Sequence, residues 1–447
     1  MQILFIILAA LGSAYFLYRK AVDPIAAAFG ASILYFAPAF FGHIKFSKGY
    51  TEGGKYLGEY ASAIHPAAYG CMIIVLMAVV SAAAIFDRIP VRHIRRLPGD
   101  RFTPSILALI IVVASIMSIR TVSTYYLCAD KSITLTQIDS WYYWAAYALP
   151  LCLVSAVVLR QWVIAALCVL LLGADIFVGF RVNAAVCLVS LLILIGWMLF
   201  HGKRSALMFI GIVAIGGMSL FVVKTLAYNI KSIYAVTCIF DDAQHEIVIV
   251  GRSDSRAAVK QFARAFTLGG TYTDSILNSE PFVIQAILNE TIAQQFRTPA
   301  DYLGKQVLSA IPGGATIFGL SLGDVPLFSD LFKHKLFGDI PFGMASNPWA
   351  QAYAAGGYML IAIFAAIYAG SVGALGYVFK ASKGSLRALT LVISVWIAFY
   401  FHRNDVMTEL GILKQTVYIA IAAVVLSTAI SGGTTVFQKL ASRRHRA

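Results

Sequence analysis

A chain of 447 residues that is 60% apolar and only 13% charged, with a mean hydropathy of +0.79, cannot fold as a water-soluble monomer; soluble domains run to roughly 45–50% apolar and about 25% charged. These figures exclude an ordinary soluble enzyme, a disordered chain and a disulfide-stapled secreted domain, and leave lipid as the main solvent. The net charge of +14 invites a nucleic-acid reading, but in a polytopic protein it reflects loop cations that set orientation, and no nucleic acid is expected as a partner.

In chain order, apolar runs at 2–18, 24–42, 66–86, 104–127, 142–159, 162–180, 184–200, 206–227, 350–379, 386–402 and 410–432 predict eleven transmembrane helices. The first leaves through Tyr18-Arg19-Lys20 rather than a small-residue cleavage site, and reads as a retained helix. The expected fold class is an all-α polytopic membrane protein with one large outer loop. Its parts are an eight-helix bundle over 1–227, a loop over 228–349 with amphipathic helices, and three helices with a basic tail over 350–447.

Lysines and arginines of the short loops set the orientation. Alternate connections hold Arg19, Lys20, Arg88, Arg92, Arg95, Arg96, Arg101, Arg160, Lys203, Arg204, Lys380, Lys383 and Arg387, and the tail adds Lys439, Arg443, Arg444 and Arg446. The opposite connections hold only Lys45, Lys48, Lys55, Lys131, Arg181 and Arg403. The N-terminus and residues 228–349 are therefore expected outside, and the C-terminus in the cytoplasm.

The outer segment is too long for a passive connection. Turn-rich stretches (Ile311-Pro312-Gly313-Gly314, Gly338-Asp339-Ile340-Pro341) alternate with helical stretches near 253–267 and 281–296. Arg252, Arg256, Lys260 and Arg264 recur every four residues and would form one basic stripe on a helix. Val259, Phe262, Ala263 and Phe266 make an adjacent apolar stripe, as on a helix lying at phosphate level on the bilayer. Such cations either adhere to headgroups or hold a phosphorylated lipid, for which the planar guanidinium fork is suited.

Charges within or at the ends of spans are few: Arg120, Asp175, Lys224, Lys414, Arg181 and Arg403. All fall in the outer halves, which suits a polar chamber opening outward better than independent snorkelling. No P-loop, dinucleotide fingerprint or HEXXH spacing occurs, and neither the six cysteines nor the eight histidines have metal-site spacing. No metal and no cofactor is expected. Cys128 and Cys238 both fall outside, where a disulfide is permitted, although nothing in the sequence brings them together.

The order of features over residues 175–410 resembles bacterial O-antigen and oligosaccharide repeat-unit polymerases (Wzy-type), relatives of the O-antigen ligases. A Gly-x-Arg, here Gly179-Phe180-Arg181, ends a mid-chain helix; a long outer loop with Ile311-Pro312 follows. Then come the polar stretch from Asn347-Pro348-Trp349-Ala350-Gln351 to Gly356-Gly357 and, last, His402-Arg403-Asn404-Asp405. The family's acidic or aromatic residue before the paired glycines is replaced by Gln351 and Tyr353.

The resemblance implies a GT-C-like fold in the bacterial inner membrane. It implies transfer of a glycan from one undecaprenyl-pyrophosphate carrier to a repeat unit on another, at the periplasmic face. Its implied partners are those lipid-linked oligosaccharides, the membrane lipids, and a chain-length regulator and a flippase of the same pathway. In such a transfer, negative charge gathers on the departing pyrophosphate. Arg181 and Arg403 are the first candidates to hold it, and Arg264 and Arg297 the next. Arg252, Arg256, Lys260, Arg120 and Asn347 are further candidates for substrate binding. The acceptor hydroxyl's proton could go to His402, Asp405, His334 or Glu409. Two alternatives stay open: an O-antigen ligase acting on lipid A-core, and a transporter or flippase, which would place charges or broken helices near the midplane.

Overall fold

The computed structural model describes residues 1–19, 21–48, 57–94, 96–122, 128, 138–178, 180, 182–199, 236–241, 246–252, 280–311, 314–317, 319, 325–338, 340 and 344–444. Its helices in the first half are α1 (Gln2–Arg19), α2 (Pro24–Tyr35), the short α3 (Pro38–Phe41), α4 (Pro66–Arg88), α5 (Thr103–Val122), α6 (Ser140–Val158), α7 (Trp162–Val178) and α8 (Val182–Leu199). The segment expected outside contributes α9 (Glu280–Ala293), α10 (Tyr302–Ala310), α11 (Gly314–Ile317) and α12 (Phe328–Phe332). The chain continues through α13 (Pro348–Ala381), α14 (Ser385–Val395), a π-helical turn (Trp396–Tyr400) and α15 (Val406–Arg444).

Among the described residues, six helices are long and apolar enough to cross a membrane, and four shorter apolar ones accompany them. The expected helix at 206–227 lies outside the described residues. The expected span 24–42 is not one helix. Pro38 has no N–H to give the Leu34 carbonyl, which Ala37 N takes instead at 3.2 Å in a tighter turn, and α3 starts afresh.

Two hairpins qualify the all-α expectation. In β1 (His43–Ser47) and β2 (Glu59–Ala63), antiparallel pairing runs from His43↔Ala63 to Ser47↔Glu59. Ile44 and Phe46 point into the core, and Phe46 stacks on Tyr60 at 4.9 Å. In β3 (Val236–Asp241) and β4 (Glu246–Arg252), the β-branched run Ile247-Val248-Ile249-Val250 favours a strand. Arg252 ends β4 opposite Val236, so it does not open the expected helical stripe.

Two apolar cores hold the bundle. One joins α1, α2, α4, α9 and α13 with β1; the other joins α5–α8, α14 and α15. Ile393, Phe399 and Leu413 pack against both. At the start of α14, Asp100 Oδ1 accepts from Ser385 N at 2.8 Å and from the Ser385 hydroxyl. Gly384, at φ +64, lies so close to Asp100 that any Cβ would collide with its carboxylate.

Four charges meet where α1, α4 and α13 end and α2 begins. Arg19 pairs with Asp23 at 2.6 Å and also with Asp87, while Lys380 lies 2.8 Å from Asp23 and 3.2 Å from Asp87. Asp23 is fully buried and also caps α2 through Ala26 N at 3.1 Å. Burial alone would raise its carboxyl, but Arg19 and Lys380 more than offset that and hold it below the ordinary value. With its folded pKa depressed, Asp23 stabilises the fold at neutral pH, and the contribution fades only as the pH falls below about 4. Asp23→Ala leaves Asp87 as the single carboxylate facing Arg19 and Lys380 and removes a cap. It is expected to lower stability by about 3 kcal/mol at pH 7 in a detergent unfolding series, and Asp23→Asn, which keeps the cap, by less. A wild-type midpoint for Asp23→Ala would show that the cluster holds nothing.

Candidate functional site

The loop between the π turn and α15 carries His402, Arg403, Asn404 and Asp405, and the starts of α9, α13 and α15 converge on it. The sequence builds these starts with familiar devices. Asn347 caps α13, its Oδ1 accepting from Trp349 N at 2.9 Å and Ala350 N at 3.1 Å, and its Nδ2 donating to the Ile284 carbonyl of α9 at 2.8 Å. Asp405 caps α15 by accepting from Thr408 N at 2.7 Å. Both side chains are buried.

His402 is completely buried. Its Nδ1 accepts from Trp349 Nε1 at 3.0 Å, and its Nε2 lies 3.2 Å from both Ser32 Oγ and Tyr368 Oη. The Ser32 hydroxyl already donates to the Ala28 carbonyl at 2.8 Å and Tyr368 to that of Ala398 at 2.9 Å. Both therefore receive the Nε2 proton, which fixes the tautomer. Tyr35 stacks on the ring at 5.2 Å. With its one lone pair taken by Trp349, His402 positions the loop and has no free nitrogen to accept a substrate proton.

Arg403, unlike the buried His402 and Asp405, is part-exposed, at 30% for the side chain. Its Nη1 donates to Glu280 Oε2 at 3.0 Å, and its Nε lies 2.6 Å from Oε1, close but not aligned as a hydrogen bond. The guanidinium also covers the Tyr400 ring at 5.1 Å. Burial works against its charge, but Tyr400, Glu280 and Tyr35 outweigh that and raise its pKa, so it is a permanent cation. Of its five N–H donors, Glu280 engages two at most. Tyr35 takes a further hydrogen bond, and the donors left after both are available to an anion.

Glu409, one turn into α15, is 2% exposed. Its Oε2 accepts from Asn404 Nδ2 at 3.2 Å, whereas Oε1 has no partner among the described residues. A buried carboxyl oxygen left unsatisfied is uncommon and calls for an explanation. Next to it runs a buried amide chain. Val406 N donates to Gln351 Oε1 at 3.0 Å, Gln351 Nε2 donates to Gln306 Oε1, and Gln306 Nε2 donates to Tyr302 Oη at 2.6 Å and to the Pro326 carbonyl at 3.1 Å. This chain ties α10 and the outer segment to the starts of α13 and α15.

The structure thus gathers Arg403, His402, Asp405, Glu409 and Asn347, and puts Arg297, His334, Arg120 and Arg252 elsewhere. Arg297 donates from Nη1 to the Tyr353 carbonyl at 2.7 Å and stacks over the Tyr353 ring at 5.1 Å. It serves the break in α13, where Gly356 and Gly357 leave helical geometry and Gly357 adopts φ +63. Thr298 N takes the next freed carbonyl, that of Ala354, at 3.2 Å. His334 is exposed in a π turn over Lys333–Phe337.

Arg120 sits in the last turn of α5, and the rest of the expected span, 123–127, lies outside the described residues. Asp175 is held by Tyr142 Oη at 2.5 Å and Asn183 Nδ2 at 2.7 Å. Arg181, Arg256, Lys260, Arg264 and Lys224 lie outside the described residues. Sequence reasoning missed Glu280, Gln306 and Gln351 as members of the site. The one local signal was an acidic residue before Pro281 at a helix start.

Among the described residues, no group of three or more His, Cys, Asp or Glu is arranged to hold a metal ion. No family model, no curated protein and no solved structure matches the chain.

Proposed function

We propose that this chain is an O-antigen or oligosaccharide repeat-unit polymerase of the bacterial inner membrane, a glycosyltransferase that moves a glycan from an undecaprenyl-pyrophosphate donor to a lipid-linked acceptor at the periplasmic face. The observation that carries the reading is the presence in one loop and helix start of a permanently charged, part-exposed Arg403 and, six residues along, a buried Glu409 whose Oε1 has no partner among the described residues. In the proposed step the acceptor hydroxyl attacks the anomeric carbon while the bond from that carbon to the pyrophosphate oxygen breaks. The electron pair leaves with the pyrophosphate, where Arg403 meets the developing charge. The hydroxyl proton passes to Glu409. Glu280 orients the guanidinium, and His402, Asp405 and the Gln306–Gln351 chain hold the loop.

The loop cations support an outer location for this site. Cys128, in a connection assigned to the outside, is disulfide-bonded, as an oxidising compartment permits. Reporter fusions after Lys383 are expected to be active only in the cytoplasm, and fusions near Gly251 only in the periplasm. A periplasmic signal at Lys383 would put Arg403 on the wrong side for this chemistry.

The break in α13 favours a second reading, because interrupted helices are common where transporters hold their cargo. Glycan profiles of a deletion strain separate the readings. Lipid A-core carrying a single repeat indicates a lost polymerase; bare core indicates a ligase or a flippase and contradicts the proposal.

A further inference from the structure

A groove of about 300 Å³ opens between α5 and α6, lined by Leu109, Ile110, Val113, Ala114, Trp141 and Trp144. Four of these side chains are well exposed: Leu109 63%, Val113 46%, Trp141 40% and Trp144 37%. Above the groove on the same helix, Ile116 is exposed and Arg120 is exposed in the last turn. Leu109, Val113, Ile116 and Arg120 follow one another at i, i+4, i+7 and i+11, so they share one face of α5.

The register of the two helices fixes the order along that face. Cys152 Sγ donates to the Pro104 carbonyl at 3.4 Å. Counting outward from that contact along the antiparallel pair sets Trp144 level with Val112 and Trp141 level with Ser115. Arg120 then stands roughly 8 Å beyond Trp141, and Leu109 lies roughly 16 Å below Arg120, at 1.5 Å per residue. An apolar slot, an indole belt and a cation therefore succeed one another toward the outer face. The chain, interfacial region and phosphate of a lipid succeed one another in the same order.

We infer that this groove holds the isoprenoid chain of a polyprenyl-phosphate carrier, with its phosphate on Arg120, as the acceptor position of the reaction proposed above. The inference rests on that reading, since a transfer between two lipid-linked substrates needs a second lipid-phosphate position apart from Arg403. A volume of about 300 Å³ is at the low end for a ligand pocket. It suits a stretch of one chain rather than the paired chains and backbone of a glycerophospholipid. The flat indoles of Trp141 and Trp144 offer broad apolar faces to branched methyl groups, and a terminal phosphate gives the guanidinium a bidentate partner.

The test measures binding without turnover. The full chain, reconstituted in phosphatidylcholine vesicles, is photolabelled with a diazirine-bearing polyprenyl phosphate, and the labelled peptides are mapped by mass spectrometry. Label is expected on 109–114 and 141–144, competed by undecaprenyl phosphate and not by phosphatidylglycerol. Arg120→Gln, a change at an exposed position, is expected to weaken labelling by the phosphate probe about tenfold while leaving a polyprenol probe unchanged. Val113→Trp, which fills the slot, is expected to abolish both. Equal competition by phosphatidylglycerol would make the groove a general lipid contact and overturn the inference, as would labelling confined to other helices. Because no transfer is read, Arg403→Lys is expected to label normally. Loss of polymerisation alone therefore bears on the proposed function and not on this groove.

Discussion

Arg403→Lys is expected to insert, fold and accumulate like the wild type, yet to slow chain growth about a hundredfold and leave single-repeat or very short glycans. Lysine keeps the charge and can still pair with Glu280, which lies 2.6 Å from Arg403 Nε; if the pair only fastens α9 to the loop, lysine suffices. A leaving pyrophosphate asks for more. It needs donors still free after Glu280 is served, in a planar fork that an ammonium lacks. Losing one such charge-assisted contact in the transition state costs about 3 kcal/mol, or about two orders of magnitude in rate. The exchange Arg403→Glu with Glu280→Arg sharpens the point, because it restores the ion pair and not the cation's position. It is expected to recover stability without recovering activity. Wild-type chain length in Arg403→Lys, at matched protein level, would remove Arg403 from the chemistry.

Glu409→Gln is expected to lower turnover about a thousandfold, in the range of about 10² to 10⁴ for a positioned general base. The amide oxygen of glutamine can still accept from Asn404, so the local hydrogen bond survives and the fold is not put at risk. The group lost is the one that takes the hydroxyl proton. Asp405→Asn is the matched control. Asparagine caps a helix about as well as aspartate, so the start of α15 should persist and the rate should change little. A large loss in Asp405→Asn with none in Glu409→Gln, measured on purified and equally folded protein, would exchange the two roles.

Much of this architecture can be read from apolar periodicity, because a helix in lipid must satisfy its own backbone and announces itself by length. Helices occur at ten of the eleven expected places, and the eighth place falls outside the described residues. The reading failed where a local rule competed. Pro38 divides a run whose hydropathy is continuous, and the hairpin at His43–Ala63 sits in a stretch too polar for a span and too short for a soluble-like domain.

The site was legible only as a set of residue types. His402 resembles a base in sequence, but its partner Ser32 lies 370 positions away, and that contact together with the one to Trp349 consumes its nitrogens. Arg403 could be singled out from the sequence as a cation at the end of a span, yet its partner Glu280 lies 123 positions away, and no spacing rule connects them. Gln351 departs from the family pattern, and the structure gives it a place in the amide chain between α10 and α15.

The central claim is that this chain alone elongates a lipid-linked glycan by displacing a lipid pyrophosphate. The most direct measurement places the purified protein in vesicles with an undecaprenyl-pyrophosphate-linked repeat unit as the only substrate, with EDTA present and no nucleotide sugar, and reads products by mass. A ladder of two, three and more repeats, with one undecaprenyl pyrophosphate released per bond formed, is the predicted result. A substrate that crosses the bilayer unchanged, or stays a single repeat beside a protein shown to be folded, would contradict the account.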